Sequence, residues 1–269
     1  MSFLKNSEDF LIGEKIRLFA GGDIPLPEIY SSIDSTNIRA KVLAAEGARE
    51  GSAVLSDMQT AGHGRYGRPF FSGKGQGLYM SLILRPKLDA ALWPQLTAYA
   101  ALATAEALEA LCPSLDLQVK WVNDIYLQGK KLAGILTETV ISVASQTPEA
   151  AVIGIGINLR GSLPAELEEI ACALDLAVEP PSRNRLAGEI IARMLAASRE
   201  IAKGTYIECY RRRCFVLSKE LLVHEGGRTY GATALDISDD ASLRIRLENG
   251  EIKQLRAGEV SIRVREGKA

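Results

Sequence analysis

Residues 59–77 read QTAGHGRYGRPFFSGKGQG and form the most distinctive stretch of this 269-residue chain. The stretch holds six glycines, and three cations, Arg65, Arg68 and Lys74, lie between them. Glycine lets the backbone approach a ligand closely, and successive free N–H groups can then line a concavity that binds anions. Arginine adds a planar fork that matches carboxylate or phosphate oxygens. Composition alone is equally compatible with a flexible surface loop that carries solvated charges.

Two later stretches carry further patterns that indicate ligand binding. Residues 120–138 read KWVNDIYLQGKKLAGILTE, and residues 153–159 read IGIGINL. The first predicts a strand, a bend at Asn123 and Asp124, and then two short strands, the second of which contains Gly134. Glycine within a strand often marks close approach by a ligand or another backbone, and Gly154 and Gly156 repeat this feature.

In this order and at these distances, the stretches resemble the motifs of the biotin protein ligase family. That family has a Gly-Arg-Gly-Arg-x-Gly-Arg loop, then Lys-Trp-Pro-Asn-Asp, then Lys-x-Ala-Gly-Ile-Leu-x-Glu, and then Gly-x-Gly-x-Asn. The resemblance covers residues 28–265. It implies an α+β fold with a mixed or antiparallel central sheet flanked by helices, and a small C-terminal SH3-like β-barrel. The implied domains are an N-terminal extension at 1–27, a catalytic domain at 28–215 and the small domain at 216–269.

The resemblance also implies an ATP-dependent ligase that works in two half-reactions. The carboxylate of biotin attacks the α-phosphate of ATP, and a lysine of an acceptor then attacks the resulting biotinyl-5'-AMP. The implied small molecules are ATP, Mg²⁺ and biotin as a substrate, and the implied partner is a biotin carboxyl carrier protein or domain of a biotin-dependent carboxylase. Two anions must meet in such a reaction, so cations and N–H donors have to neutralise them.

Each implied role falls on a residue that corresponds to a position of the family pattern. The implied catalytic residues are Lys131, Arg65, Arg68 and Lys120. The residues implied to bind biotin are Ser35, Thr36, Asn37, Gln59, Gly62, His63, Arg65, Lys131, Gly134 and Gly154. Those implied to bind the nucleotide are Gly64, Arg68, Phe70, Asn123 and Asn158, while Asp124 suits Mg²⁺ because magnesium prefers hard oxygens. From the residues alone, Ser35 and Thr36 are instead predicted to cap a helix that begins beside them.

Three positions depart from the family pattern. His63 is found where the family has arginine, Phe70 where it has tryptophan, and Val122 where it has proline. Histidine is largely neutral at pH 7, so the loop loses one permanent charge and we expect weaker or pH-dependent retention of the adenylate. None of these changes removes Arg65, Arg68 or Lys131, so we expect activity, with the loop at 62–77 becoming ordered as ligands bind.

Alternative functions remain open at this point. Lipoate protein ligases share the chemistry and general fold, although the glycine-rich loop and the Lys-Trp-x-Asn-Asp segment favour biotin. A non-catalytic biotin-sensing protein, inactive because of His63, is a second alternative. The 27 residues before the resemblance are too few for a helix-turn-helix domain, so we do not expect a DNA-binding repressor. An exposed sheet edge would suit either acceptor docking or a homodimer.

Composition and charge narrow the class of protein. The formal net charge is -1, so no basic field favours nucleic acid. The four cysteines form no Cys-x-x-Cys pair and only two histidines are present, so we do not expect a structural zinc site. No segment has the apolar length of a signal peptide or a membrane span. We therefore expect a cytoplasmic protein with reduced thiols and no membrane or nucleic-acid partner.

Periodicity and turn residues predict the order of the secondary structure. The predicted strands lie at 29–33, 51–58, 77–85, 115–121, 125–127, 132–136, 151–159, 220–224, 229–237, 241–247 and 251–256. The predicted helices lie at 8–19, 38–46, 91–112, 164–174, 183–203 and 205–215. Asn249 and Gly250 predict a hairpin turn between the last two strands.

Overall fold

The computed structural model describes residues 9–142, 145–256 and 260–264, and these residues build two sheets and six α-helices. The strands of the larger sheet are β1 (Glu28–Tyr30), β2 (Ala53–Ser56), β3 (Gly77–Leu84), β4 (Leu117–Lys120), β5 (Asp124–Leu127), β6 (Lys130–Ile141) and β7 (Pro148–Asn158). Their spatial order is β1-β2-β3-β7-β6-β5-β4. The β1–β2 pair is parallel and every other neighbouring pair is antiparallel. The predicted mixed sheet is therefore confirmed.

Helices cover both faces of this sheet. They are α1 (Gly13–Phe19), α2 (Thr36–Ala45), α3 (Gln95–Leu111), α4 (Arg183–Leu195), α5 (Ala197–Lys203) and α6 (Tyr206–Arg213). The α2 helix packs on one face with Ala40 and Ala44, and the large apolar core that includes α3 and α4 covers the other face. Because both faces are covered, β3 is buried at every position. Within the described ranges, no helix has both the length and the apolar character needed to cross a membrane.

The second sheet lies in the C-terminal part of the chain. Its strands are β8 (Glu220–Glu225), β9 (Arg228–Ile237), β10 (Leu243–Leu247), β11 (Ile252–Leu255) and β12 (Val260–Val264). Every neighbouring pair in the order β11-β10-β9-β8-β12 is antiparallel. Trp121 Nε1 donates to the Ala241 carbonyl oxygen at 2.9 Å and ties this sheet to the larger domain. A small C-terminal β domain is confirmed, while the boundary predicted at residue 216 stays a prediction.

Several sequence-based element predictions differ from the structure. The helix predicted at 164–174 is wrong, since this segment has only short 3-10 turns. Its backbone instead pairs with Lys131, whose N–H donates to Ile170 O at 3.0 Å and whose carbonyl oxygen accepts from Cys172 N–H at 2.9 Å. The helix predicted at 183–203 divides at Ala196 into α4 and α5. The helix predicted to begin at residue 8, which lies outside the described residues, begins at Gly13. The strand β12 was not predicted.

Candidate functional site

A cleft opens on the α2 face of the larger sheet because the central strands carry small residues there. In the register of β3, β7 and β6, Ser81 pairs with Gly154, and Gly156 pairs with Gly134. Residues opposite one another on neighbouring strands share a face, so these four positions form a strip of the sheet that carries no large side chain of its own. Further along β3, Ile83 fills the same face and is packed against α2. The resulting cleft is open to solvent, and its cavity volume is about 140 Å³.

The first turn of α2 borders one end of the cleft and is held by Gln59. The Thr36 backbone N–H and hydroxyl both donate to Gln59 Oε1, at 2.9 and 3.1 Å. The Gln59 amide nitrogen donates in turn to Ser72 Oγ at 3.1 Å. Ser35 occupies the N-cap position, but its side chain makes no capping hydrogen bond. Ser35 is therefore at the predicted N-cap position, but the predicted capping hydrogen bond is wrong, and Gln59 instead accepts from the Thr36 N–H group from outside the helix.

Asn37 forms a wall of the cleft through a buried hydrogen-bond network. Its Oδ1 accepts from Ser81 Oγ at 2.5 Å, and its Nδ2 donates to Glu138 Oε2 at 2.8 Å. Lys41 Nζ lies 2.6 Å from the other Glu138 oxygen. Burial alone would raise the pKa of the Glu138 carboxyl, but the hydrogen bonds from Lys41 and Asn37 outweigh it and hold the pKa below its ordinary value. The amide lies directly over Gly154, where no Cβ would fit.

The other end of the cleft is cationic and is centred on Lys131. Its Nζ lies 2.7 Å from Asp124 Oδ1, and the side chain passes over Gly134. Asn123 Nδ2 donates to the same Asp124 oxygen at 3.2 Å. Arg65 Nη1 donates to Asn123 Oδ1 at 3.3 Å, so the glycine-rich loop is in contact with this group. Asp124 thus orients the Lys131 ammonium group within the cleft.

A β-bulge turns Lys131 toward the cleft. Lys131 and Gly134 are three residues apart, and regular alternation would put them on opposite faces of the strand. The β5–β6 register shifts between Ile125 and Tyr126, so that Leu132 has no partner across the pair. A bulge of this kind re-aims the neighbouring side chain. Lys131 therefore shares the cleft face with Gly134, and Leu132 is fully buried.

Lys120 extends the cationic end along the edge of the sheet. It is the last residue of β4, pairs with Asp124 and lines the cleft. Burial lowers the pKa of its ammonium group below the ordinary value, and the like charges of Lys131, Arg263 and Arg68 lower it further, while Asp124 opposes them. A cluster of cations with a single facing carboxylate has the electrostatic character of an anion site.

The arch, residues 63–69, borders the cleft opposite the sheet. Within the arch, Gly64 N–H donates to the Arg68 carbonyl oxygen at 2.8 Å. Tyr66 has a positive φ of 60°, and its ring lies beneath two guanidinium groups, at 5.1 Å from Arg65 and 5.8 Å from Arg68. Contacts of this kind hold cations near an aromatic face. The tyrosine thus helps to position both arginines at the cleft.

Most residues predicted from the motifs come together in this one cleft. The lining residues among them are Ser35, Thr36, Asn37, Gln59, His63, Gly64, Arg65, Arg68, Phe70, Lys120, Asn123, Asp124, Lys131, Gly134 and Gly154. Two predicted residues do not line it. Gly62 lies under the loop, where an added Cβ would meet Ser72 Oγ at 2.7 Å, and Asn158 lies at the end of β7 opposite Gly77. The individual roles of all these residues stay predictions.

The cleft also has lining residues to which the motifs assigned no role. Tyr66, Trp121, Leu136, Gly156 and Ile262 are among them. Tyr66 could have been found, because it is the one aromatic residue between the two arginines of the loop. Ile262 had no such signal, since it lies on β12 of the small domain, far along the chain from every motif.

Asp124 is the residue predicted to bind magnesium. Among residues 9–142, 145–256 and 260–264, no group of three or more His, Cys, Asp or Glu side chains could hold a metal ion. Asp124 Oδ1 is already engaged by Lys131 and Asn123. Mg²⁺ keeps several waters and usually takes one or two carboxylates together with substrate phosphates. The residues therefore fit a magnesium ion that arrives with nucleotide phosphates rather than one held in a protein cage.

The sequence of the chain is similar to those of known ligases. A family model described as "Biotin/lipoate A/B protein ligase family" matches residues 29–158. The chain is 31% identical over 245 residues to the bifunctional ligase/repressor BirA of Escherichia coli, covering 86% of this chain and 72% of that protein. It is 43% identical over 148 residues to BirA of Bacillus spizizenii, covering 54% of this chain and 45% of that protein. The match thus spans about half the length of the Bacillus relative.

The fold is similar to that of a solved structure. The biotin protein ligase of Aquifex aeolicus, in complex with biotin and ATP, superposes with a TM-score of 0.76 at 27% identity. The superposition covers 89% of this chain and 99% of that one. The expected catalytic fold with a small C-terminal domain is therefore confirmed.

Proposed function

The chain belongs to the biotin/lipoate A/B protein ligase family, among the biotin protein ligases. We propose that it attaches biotin to a carrier protein and uses ATP to do so. The main support is the polarity of the cleft, which has an uncharged polar end, a strip of glycines and a cationic end. Biotin has the same order, with a polar ureido ring, an apolar chain and a terminal carboxylate. The cleft and biotin therefore have complementary chemical groups, and these groups follow one another in the same order along both.

In this proposal the first residues of α2 and Gln59 bind the ureido ring. Ser35, Thr36 and Gln59 offer hydroxyl and amide groups at that end of the cleft. The aliphatic chain of biotin lies along the strip of glycines, beside the Asn37, Phe70 and Lys131 side chains that border it. The carboxylate then reaches Lys131, whose ammonium group is already oriented by Asp124.

The first half-reaction joins two anions. A carboxylate oxygen of biotin attacks the α-phosphorus of ATP, a P–O bond forms, and the bond to pyrophosphate breaks with its electron pair. Lys131, Arg65 and Arg68 neutralise the charges that otherwise keep the reactants apart. Magnesium bound by the phosphates and Asp124 would supply additional positive charge at the phosphates.

The second half-reaction transfers the biotinyl group. The neutral amine of an acceptor lysine attacks the acyl carbon of biotinyl-5'-AMP, a C–N bond forms, the nitrogen releases a proton to solvent, and AMP leaves with the electrons of the C–O bond. We propose a biotin carboxyl carrier protein as the acceptor, as the family resemblance implies. All four cysteines are free thiols, which suits action in a reducing compartment such as the cytoplasm.

Pyrophosphate release tests the proposal. The protein is mixed with ATP, Mg²⁺ and either biotin or lipoate, and release is compared among wild type, Lys131→Ala and Lys130→Ala. Lys130 is the exposed neighbour of Lys131, so it is a matched control. We expect biotin-dependent release that falls about a hundredfold or more in Lys131→Ala and is unchanged in Lys130→Ala.

The other outcomes separate the alternatives. Lipoate-dependent release would move the protein to the lipoate ligases. Tight biotin binding without release would favour a non-catalytic biotin sensor. A positive result leads to a second assay, in which the mass of a carrier domain is measured after incubation with the enzyme, ATP and biotin.

A further inference from the structure

Arg183 is a buried arginine at the start of α4, and it contacts the chain on both sides of the glycine-rich loop. Its side chain is 7% exposed. Its Nη1 donates to Asp57 Oδ1 at 2.7 Å and to the Gly77 carbonyl oxygen at 3.4 Å. Asp57 lies just before the loop and Gly77 is its last residue. One guanidinium group therefore joins the two stems of the loop.

The same arginine is also bound by the N-terminal segment. Its Nε donates to the Asp9 carbonyl oxygen at 3.1 Å, and its backbone N–H donates to Asp9 Oδ2 at 2.8 Å. The next residue, Asn184, donates to the Phe10 carbonyl oxygen at 2.7 Å and accepts from Ile12 N–H at 2.6 Å. The guanidinium group is thus enclosed, and its bonds to Asp57, Gly77 and Asp9 engage most of its planar set of donors.

The stems and the arch differ in how they are held. Asp57 accepts a backbone hydrogen bond from Gly75 at 3.0 Å, so the stems are also bonded to each other. The Tyr79 hydroxyl on β3 donates to the Gly73 carbonyl oxygen at 3.0 Å. No residue of the arch is buried, whereas Ser72 and Gly77 near the end of the loop are buried. The stems of the loop are therefore a fixed base, and the arch between them is more open.

A fixed base has an energetic consequence for ligand binding. Ordering a loop on binding costs conformational entropy, and the cost falls when the loop is already constrained. Closing the ends of a loop also removes conformations from the segment between them. A buried guanidinium group is costly unless it is paired, and here it is paired with Asp57 and with carbonyl oxygens. Arg183 therefore joins two segments of the chain, which a solvated surface arginine would not do.

We propose that Arg183 is a positioning residue that holds both stems of the glycine-rich loop, so that the arch meets biotin and ATP from a preset geometry. The inference rests on the proposed function, because it concerns how those substrates are bound. Arg183 is not one of the residues that line the cleft. It acts through Asp57 and Gly77.

Steady-state kinetics of pyrophosphate release tests this role. Arg183→Lys keeps the charge but loses the planar fork, so it cannot bond Asp57, Gly77 and Asp9 together. We expect KM for biotin and ATP to rise about tenfold while kcat changes less than about threefold, since the loss is one of preset binding geometry. The matched control is Arg185→Lys, the same change at an exposed position of α4, and it leaves both constants unchanged.

A second variant changes Asp57, the partner of Arg183 beside the loop. Asp57→Asn keeps the backbone bonds of that residue and removes its charge, and it decides the question if Arg183→Lys does not fold. We expect the same rise in KM, and we expect the double variant to be no worse than either single variant. Unchanged KM in a folded single variant, or effects that add in the double variant, would overturn the proposal.

Limited trypsin digestion tests the contact without catalysis. In the ligand-free protein, cleavage after Lys74 probes a stem and cleavage after Arg65 probes the arch. We expect Arg183→Lys to accelerate cleavage at Lys74 about tenfold, because the stem opens more often, and Arg185→Lys to leave it unchanged. Equal cleavage at Lys74 in wild type and Arg183→Lys would contradict the proposed contact. Failure of wild type to release pyrophosphate would instead contradict the proposed function.

Discussion

Glycines serve two different purposes in this protein, one in the strands under the cleft and one in the arch above it. A Cβ added at Gly154 would overlap the Asn37 amide, and one added at Gly156 would lie 2.6 Å from the Phe70 ring. In the arch, Gly67 has nothing within 4 Å of an added Cβ, but its φ is +67°. The strand glycines are therefore required for space, and the arch glycine for its backbone conformation.

The difference shows which glycines shape the site and which only permit the loop to turn. A side chain added in the strands displaces the groups that form the cleft, so stability and ligand binding should fall together. A methyl group added at Gly67 of the arch meets no neighbour within 4 Å, so its cost is limited to the backbone. Variants of the two groups should therefore differ in both size and kind of effect.

Gly154→Ala is expected to have the largest effect. The new Cβ must displace the Asn37 amide, which would lose its bonds to Ser81 and Glu138. Overpacking and a broken buried network together should lower the free energy of unfolding by about 3 kcal/mol. Biotin affinity should fall about tenfold or more, because the first turn of α2 moves with Asn37. Urea unfolding and calorimetric titration with biotin measure the two effects.

A rescue variant identifies the clash as the cause. Asn37→Ala removes the amide that a Cβ at position 154 would meet, so the double variant should be more stable than the sum of the two single effects. Strict additivity of the two substitutions would contradict this explanation, and so would a Gly154→Ala protein of wild-type stability.

Glu138→Gln tests the network that holds Asn37 over Gly154. Its carboxylate binds Asn37 and Lys41, and glutamine keeps the shape without the charge. Hydrogen bonds to a charged group are stronger than neutral ones, so we expect a loss of about 1 to 2 kcal/mol at pH 7. Urea unfolding at several pH values gives this difference directly.

The effect of Glu138→Gln should depend on pH with a definite sign. The folded pKa of Glu138 lies below its ordinary value of 4.5. Its contribution to stability is therefore present above that value and is lost as pH falls through the folded pKa. The difference between wild type and Glu138→Gln should shrink in acid. Glu169→Gln, a change at an exposed carboxylate, is the control, and a difference independent of pH would contradict the prediction.

The part of the site that could be predicted from sequence lies in short motifs. Lys131 and Asp124 are seven residues apart and lie on the two strands of one hairpin, so local sequence already brings them together. The glycine-rich loop is similarly continuous. The bulge that turns Lys131 toward the cleft was not predicted, because one unpaired residue leaves little trace in the alternation of apolar residues.

The remaining contacts join residues that are distant in the chain. Asn37 and Glu138 are 101 residues apart, and Arg183 and Asp57 are 126 residues apart. Periodicity reports which face of an element is buried, but not which distant side chain meets it. Periodicity fails for the same reason at 164–174. The apolar spacing of this segment predicts a helix, but its backbone pairs with the distant Lys131.

Gly67→Ala and Gly64→Ala compare two positions within the arch and should have the smallest effects. Alanine at position 67 must take a left-handed conformation, which should lower the free energy of unfolding by about 1 kcal/mol. Gly64 has a φ of -107°, and an added Cβ would be 3.8 Å from the Arg68 carbonyl oxygen, so Gly64→Ala should cost less than about 0.5 kcal/mol. Parallel urea unfolding at pH 7 measures both. If Gly64→Ala costs as much as Gly67→Ala, the arch is limited by space as the strands are, and the distinction between the two groups of glycines fails.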